Sequence, residues 1–174
     1  PLSNINKKDS NAVKAAKLEK AKAENPLFMI LNPAIDNQNK YQESPLIGYS
    51  RAKDTAQVNS YLNVPEVRAT FPADVDFMWS NKSVSEGTQV FGLYSIRKPL
   101  GGDDAEITGD MITRANADVN QKGQNSISMA MNNIGSRKWS ELTEKNIGKF
   151  IAIVVDKEVY SAPVVNGQID GGNS

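Results

Sequence analysis

The sequence predicts an α+β protein built as two small mixed units, each made of short strands with little helix. Three observations carry that reading. Apolar runs are short and rich in β-branched residues: Phe150 to Val155 is unbroken, too short for a helix, and bounded by Gly148-Lys149 and Asp156-Lys157. Helical patterning comes in brief stretches with their own start and stop signals. A run of turn formers, Pro99-Leu100-Gly101-Gly102-Asp103-Asp104, reads as a linker, which divides the 174 residues into 1–105 and 106–174.

In the first unit, residues 1–9 are polar, and Ser10 caps a predicted helix that runs to about Glu24, where Asn25-Pro26 ends it. Its Ala and Lys content favours helix, but Val13, Ala16 and Leu18 offer a thin apolar stripe, so residues 1–25 are expected to be a lightly docked, mobile helix and tail. Leu27 to Leu31 reads as a strand, Asn32 to Ser44 as a loop and Leu46 to Tyr49 as a second strand. Asp54 with Gln57 three residues on marks a helix start; Val58, Tyr61 and Leu62 form its buried face, and Asn63 helps end it. Val75 to Trp79 and Gln89 to Ile96 are two more strands around the turn-rich Asn81 to Gly87.

In the second unit Asp110 caps a single helical turn, and Ala115, Ala117 and Val119 then alternate along a strand. Gln121-Lys122-Gly123 turns the chain, and Ile127, Met129 and Met131 alternate on the returning strand. Ser136 is the expected cap of a helix that buries Trp139, Leu142 and Ile147, with Gly148 at its C′ position. Phe150 to Val155 and Val159 to Ala162 form a hairpin that stops at Pro163, which has no N–H to donate. Strand, strand, helix, strand, strand gives an antiparallel or mixed sheet with one helical layer, ferredoxin-like and incomplete.

Composition argues against several kinds of chemistry. Lys plus Arg and Asp plus Glu each number 20, so no global field favours nucleic acid. Cysteine and histidine are absent, which removes thiol and histidine-activated nucleophiles and the usual zinc sites. No apolar run is long enough to span a bilayer. Asp118-x-Asn120-x-Lys122-Gly123 resembles the opening of a calcium loop, but Met129 stands where a bidentate glutamate is needed, so a hairpin turn is the better reading. Asp74 and Asp76 share a strand face and suit a cation or paired acids, yet no third ligand adjoins them; a solvent-facing pair is favoured. Gly101-Gly102-Asp103-Asp104 lacks the phosphate-loop pattern, Ser161 has no histidine to activate it, and Asn81-Lys82-Ser83 is a glycosylation sequon short enough to arise by chance. The expectation is a protein with no catalytic residue, no metal and no cofactor. Phe77, Met78 and Trp79 are the candidate contact for extended polypeptide, with core packing as the competing reading.

The C-terminal strings say more. Asn146-Ile-Gly-Lys-Phe-Ile-Ala-Ile-Val-Val-Asp-Lys-Glu-Val-Tyr-Ser-Ala-Pro, then Val164-Val165-Asn166 and Ile169-Asp170-Gly171-Gly172, resemble the first periplasmic domain of SecD, or of the fused SecDF form, the accessory membrane subunit of the Sec protein-export machinery. Thr108-Gly109-Asp110-Met111-Ile112-Thr113, Ser126-Ile127-Ser128-Met129 and Trp139-x-x-Leu142-Thr143 follow that family's order, while Asp54-Thr55-Ala56-x-Val58-Asn59 and Phe77-Met78-Trp79-Ser80 look like the Bacteroides-like fused form. One departure is Asp156-Lys157, where the family usually has Asp-Gly, so a longer loop or another turn type is expected.

The resemblance implies a soluble fragment on the periplasmic side of the bacterial inner membrane, excised from a parent with transmembrane helices that hold its proton-relay residues. It implies assistance to export of unfolded preproteins, driven by the proton motive force, in association with the SecYEG channel and other Sec subunits. On this reading 1–105 is most of a head that touches the polypeptide and 106–174 most of a base truncated at its C-terminus, with Gly101 and Gly102 in the hinge. Exposed strand edges left by truncation would favour a strand-mediated dimer. The alternative is a non-catalytic peptide-binding or adhesion module of a surface lipoprotein.

Overall fold

A computed structural model describes residues 24–36, 40, 43–99, 105–119 and 125–172. The expected N-terminal helix up to Ala23, the turn at 121–123 and the Gly101-Gly102 pair lie outside the described residues. The protein is α+β, as the patterning predicts, and forms two compact units.

The first unit comprises the described residues of Pro1–Phe71 together with Lys82–Leu93. Here β1 (Asn32–Pro33) pairs antiparallel with β2 (Leu46–Arg51), placing Asn32 opposite Tyr49 and Pro33 opposite Gly48. β2 neighbours β4 (Val90–Arg97), of which Val90 to Leu93 belongs to this unit. Gly48 is required for the close approach of β1, because a Cβ there would lie 2.6 Å from the Asn32 carbonyl oxygen. α1 (Thr55–Leu62) and the single-turn α2 (Pro65–Arg68) follow β2. Leu31, Ala34, Val58, Leu62 and Leu93 are the buried apolar side chains. Ser50 is buried as well, and its hydroxyl donates to the Ile30 carbonyl.

Two expectations in this unit change. Pro26–Met29 is a 3-10 turn and not the start of a strand, with Phe28 and Met29 exposed. Proline near the first helical position favours that geometry, and Ile30 and Leu31 both donate N–H bonds back to the Leu27 carbonyl. Asp54 does precede α1 but caps nothing with its side chain; its Oδ2 accepts instead from Arg51 Nε at 2.8 Å.

The second unit comprises Pro72–Asn81 and the described residues of Tyr94–Ser174. The end of β4 is followed in sheet order by β3 (Val75–Ser80), β8 (Glu158–Ser161) and β7 (Ile153–Val155). β3 runs parallel to β8, with Trp79 opposite Glu158 and Ser80 opposite Val159, so the strand at 75–80 groups with the C-terminal segments across the boundary expected at 105. β5 (Ile112–Val119) and β6 (Asn125–Met131) form a separate antiparallel sheet of two strands, with Ala115 opposite Met129. The single sheet expected for strands 112–161 is therefore divided in two: the β7-β8 hairpin joins β3 through β8, a parallel partner distant in sequence that local periodicity does not reveal.

α3 (Asn133–Lys145) starts earlier than expected. Asn132 is its cap, with Oδ1 accepting from Ile134 N at 3.0 Å and Gly135 N at 2.9 Å, while Ser136 already lies in the first turn and donates its N–H to the Asn132 carbonyl. The buried face is Gly135, Trp139 and Thr143 at four-residue spacing; Leu142 is half-buried and Ile147 is exposed. Gly148 does adopt a left-handed conformation (φ 77°), but it stands beyond the C-cap Asn146 and donates its N–H to the Val165 carbonyl at 2.8 Å. The hairpin between β7 and β8 is a tight turn, not a longer loop. Asp156 (φ 51°) and Lys157 (φ 65°) both take the left-handed conformation that the twist of a two-residue hairpin demands.

Candidate functional face and C-terminal clip

The cross-strand registers of the second unit define a row of side chains. Trp79 and Val155 are both opposite Glu158, so the three stand side by side on one face of β3-β8-β7, and strand alternation puts Phe77 on that face too. Val155 is 47% exposed, Phe77 and Trp79 are half-buried, and Glu158 is exposed with its Oε2 accepting from Asn81 Nδ2 at 2.6 Å. Met78 projects from the opposite face, the side of Ser80 and the buried Val159, so the three residues expected to act together are divided between two faces. β3 neighbours β4 on one side and pairs with β8 on the other at Trp79 and Ser80. Nearby in sequence, Ile147, Phe150, Tyr160 and Val164 are also exposed apolar residues. Val155 closes the unbroken apolar run from Phe150, a pattern in which its exposure is not visible.

The same unit fastens its C-terminal segment to α3 through polar contacts. Thr143 is fully buried; its hydroxyl donates to the Trp139 carbonyl at 2.8 Å and accepts from the Ile169 N–H at 3.0 Å. Ser140 donates to Asp170 Oδ1 and accepts from Gln168 Nε2 at 2.8 Å. Met131 N–H donates to the Gly172 carbonyl at 2.9 Å. Gly171 (φ 80°) and Gly172 (φ 67°) carry the chain through left-handed conformations, and a Cβ on Gly172 would collide with the Ser136 hydroxyl at 1.9 Å. Three positions of the Ile169-Asp170-Gly171-Gly172 string thus answer to α3: Ile169 through its N–H, Asp170 through its carboxylate and Gly172 through its lack of a Cβ. Trp139 Nε1 is buried on that helix without a hydrogen-bond partner among the described residues.

The acidic pair is accounted for by ion pairing. Asp74 Oδ2 lies 2.9 Å from Arg97 Nε and Asp76 Oδ2 lies 2.9 Å from Lys98 Nζ, while the Lys98 N–H donates to the Asp74 carbonyl at 2.7 Å. Neither carboxylate simply faces solvent, and no cluster of three metal-ligating side chains forms among the described residues. Gly101 and Gly102, the expected hinge, lie outside those residues. Among the described residues no helix is long and apolar enough to cross a membrane.

Fold and site together define an α+β module that clips its C-terminal segment to one helix and presents an apolar row on a sheet face. The family model of the SecDF P1 head subdomain matches residues 88–174. SecD of Rhodothermus marinus, a protein translocase subunit, is 36% identical over 153 residues, covering 86% of this chain and 23% of that protein. SecD of Rickettsia conorii is 45% identical over 65 residues, 37% of this chain and 12% of its own length. A crystal structure of SecDF in its super-membrane-facing form is similar at 28% identity and a TM-score of 0.39, covering 69% of this chain and 14% of that one. The chain belongs to the SecD/SecDF family, and it spans less than a quarter of the length of these curated relatives. The match to the head subdomain covers 88–174, a span that includes the 106–174 segment for which the family resemblance implies a base.

Proposed function

We propose that this chain is a non-catalytic, extracytoplasmic part of a Sec translocase accessory subunit, placed on the periplasmic side of the inner membrane, and that it contacts unfolded preprotein during export driven by the proton motive force. Association with the SecYEG channel would come through the rest of a membrane-embedded parent, and strand pairing through the edge of β7 would account for any dimer of the isolated chain. Family membership supports the export role. The observation that carries the polypeptide contact is the row of Phe77, Trp79 and Val155 beside Glu158: apolar side chains aligned across adjacent strands receive an extended chain without demanding one sequence.

A photocrosslinking residue placed in turn at Trp79, Val155, Met78 and Ala56 tests this, with a permanently unfolded polypeptide as target. Adducts are expected from Trp79 and Val155, with far fewer from Met78 on the other face and from Ala56 on α1. Equal yields at all four positions would overturn the assigned face, and no adduct at any would overturn the polypeptide contact.

A further inference from the structure

The connector between β8 and the clip holds the sole Asn-Gly dipeptide in the sequence, Asn166-Gly167, and four residues later comes the Asp-Gly dipeptide Asp170-Gly171. Both are chemically suited to cyclisation, because a following glycine lets the backbone reach the geometry in which its nitrogen meets the side-chain carbonyl carbon. Their surroundings differ. Asn166 is exposed and outside any helix or strand, a Cβ on Gly167 would meet nothing within 4 Å, and neither residue joins a hydrogen bond among the described residues. Asp170 is held by the Ser140 hydroxyl, and the chain on either side of it is pinned by Thr143 to Ile169 and by Met131 to Gly172.

We propose that Asn166 is a site of spontaneous deamidation, and that the polar clip protects Asp170 from the matching isomerisation. The Gly167 amide nitrogen attacks Asn166 Cγ; the new N–Cγ bond forms as the Cγ–Nδ2 bond breaks, and the proton from the Gly167 nitrogen leaves with the departing group as ammonia. Water then opens the cyclic imide. Addition at Cγ yields aspartate, and addition at the Asn166 main-chain carbonyl carbon yields isoaspartate, whose backbone runs through Cβ. No oxidant or reductant takes part.

The location gives the modification a structural consequence. Val165 is buried, with its N–H donated to the Lys149 carbonyl, and Ile169 is tied to Thr143, so only three residues span the two anchors. Isoaspartate adds one main-chain atom and one negative charge to that short connector, close in sequence to Asp170. The expected result is loosening of the clip at Ile169 while Val165 stays paired.

The test is timed incubation of the 174-residue chain at mildly alkaline pH, followed by peptide mass spectrometry and labelling with an isoaspartyl methyltransferase. Asn166 should convert about tenfold or more faster than the exposed Asn63, and Gly167→Ala should remove that advantage because the added Cβ hinders ring closure. Ser140→Ala should raise isomerisation at Asp170 severalfold, and hydrogen exchange at the Ile169 amide should quicken as Asn166 converts. Conversion at Asn166 no faster than at Asn63 would overturn the site. Isomerisation at Asp170 matching Asn166 in the unaltered chain, or unchanged in Ser140→Ala, would overturn the protective clip.

Discussion

The two units hold their chain segments together by different means. In the first, α1 turns Val58 and Leu62 inward, Leu93 comes from β4, and the buried polar side chain of Ser50 has its hydrogen bond satisfied by Ile30. In the second, the helix that organises the C-terminal segment buries a glycine, a tryptophan and a threonine, and the segment is fixed by hydrogen bonds to Thr143, Ser140 and Met131. Apolar burial is non-directional and fails in proportion to the atoms removed, whereas a buried hydrogen bond fails by leaving its partner unpaired. Substitutions should therefore separate the units by the kind of damage they tolerate.

The largest effect is expected at Leu93, which is completely buried. Leu93→Ala removes three carbons from a packed site and should cost about 3 kcal/mol. The loss should appear in denaturant melts, with amide exchange rising in α1 ahead of the protections at Ile169. Simultaneous loss of both would show that the units unfold as one and that the contrast drawn above is empty. Next comes Thr143→Val, which conserves shape while stripping the acceptor from the Ile169 N–H, at a cost of about 2 kcal/mol. Its signature is local: exchange at Ile169 should accelerate with little change around Leu93.

That contrast also explains what could be read from the sequence. Val58 and Leu62 follow helical spacing, and the strands at 46–51, 75–80 and 90–97 show as apolar runs between turn residues, so α1 and these three strands are legible. The C-terminal strings identify the family, yet their mechanics are invisible in a pattern: Thr143 contacts Ile169 across 26 positions, and Gly172 is chosen by the Ser136 side chain it nearly touches. The parallel pairing of β3 with β8 joins residues almost 80 positions apart, which is why Phe77 and Trp79 acquire Val155 as a neighbour, while alternation along β3 itself puts Met78 on the other face. That Asn132 and not Ser136 caps α3 has a smaller reason. Asn132 and Ser136 are both good capping residues one turn apart, and propensity does not choose between them.

The β7-β8 turn sharpens the comparison from the stabilising side. Lys157 takes φ 65° and has a Cβ to accommodate there, so Lys157→Gly should relieve about 1 kcal/mol of backbone strain, less the extra entropy of the unfolded glycine chain. A higher melting temperature for the second unit is the expected reading. A lower one would mean that glycine's entropy outweighs the strain.

The smallest effect concerns the acidic pair. The side chain of Arg97 is 72% exposed and that of Asp74 is 24% exposed, so their ion pair is largely screened by water and salt. A double-mutant cycle with Asp74→Asn and Arg97→Gln should return a coupling of about 0.5 kcal/mol that shrinks as salt is added. A structural ion pair predicts that outcome and no more. If instead Asp74→Asn stabilised the protein strongly while Arg97→Gln destabilised it, the carboxylate would be held at an energetic cost, as expected of a group kept for chemistry, and the assignment of Asp74 to a structural ion pair would fall.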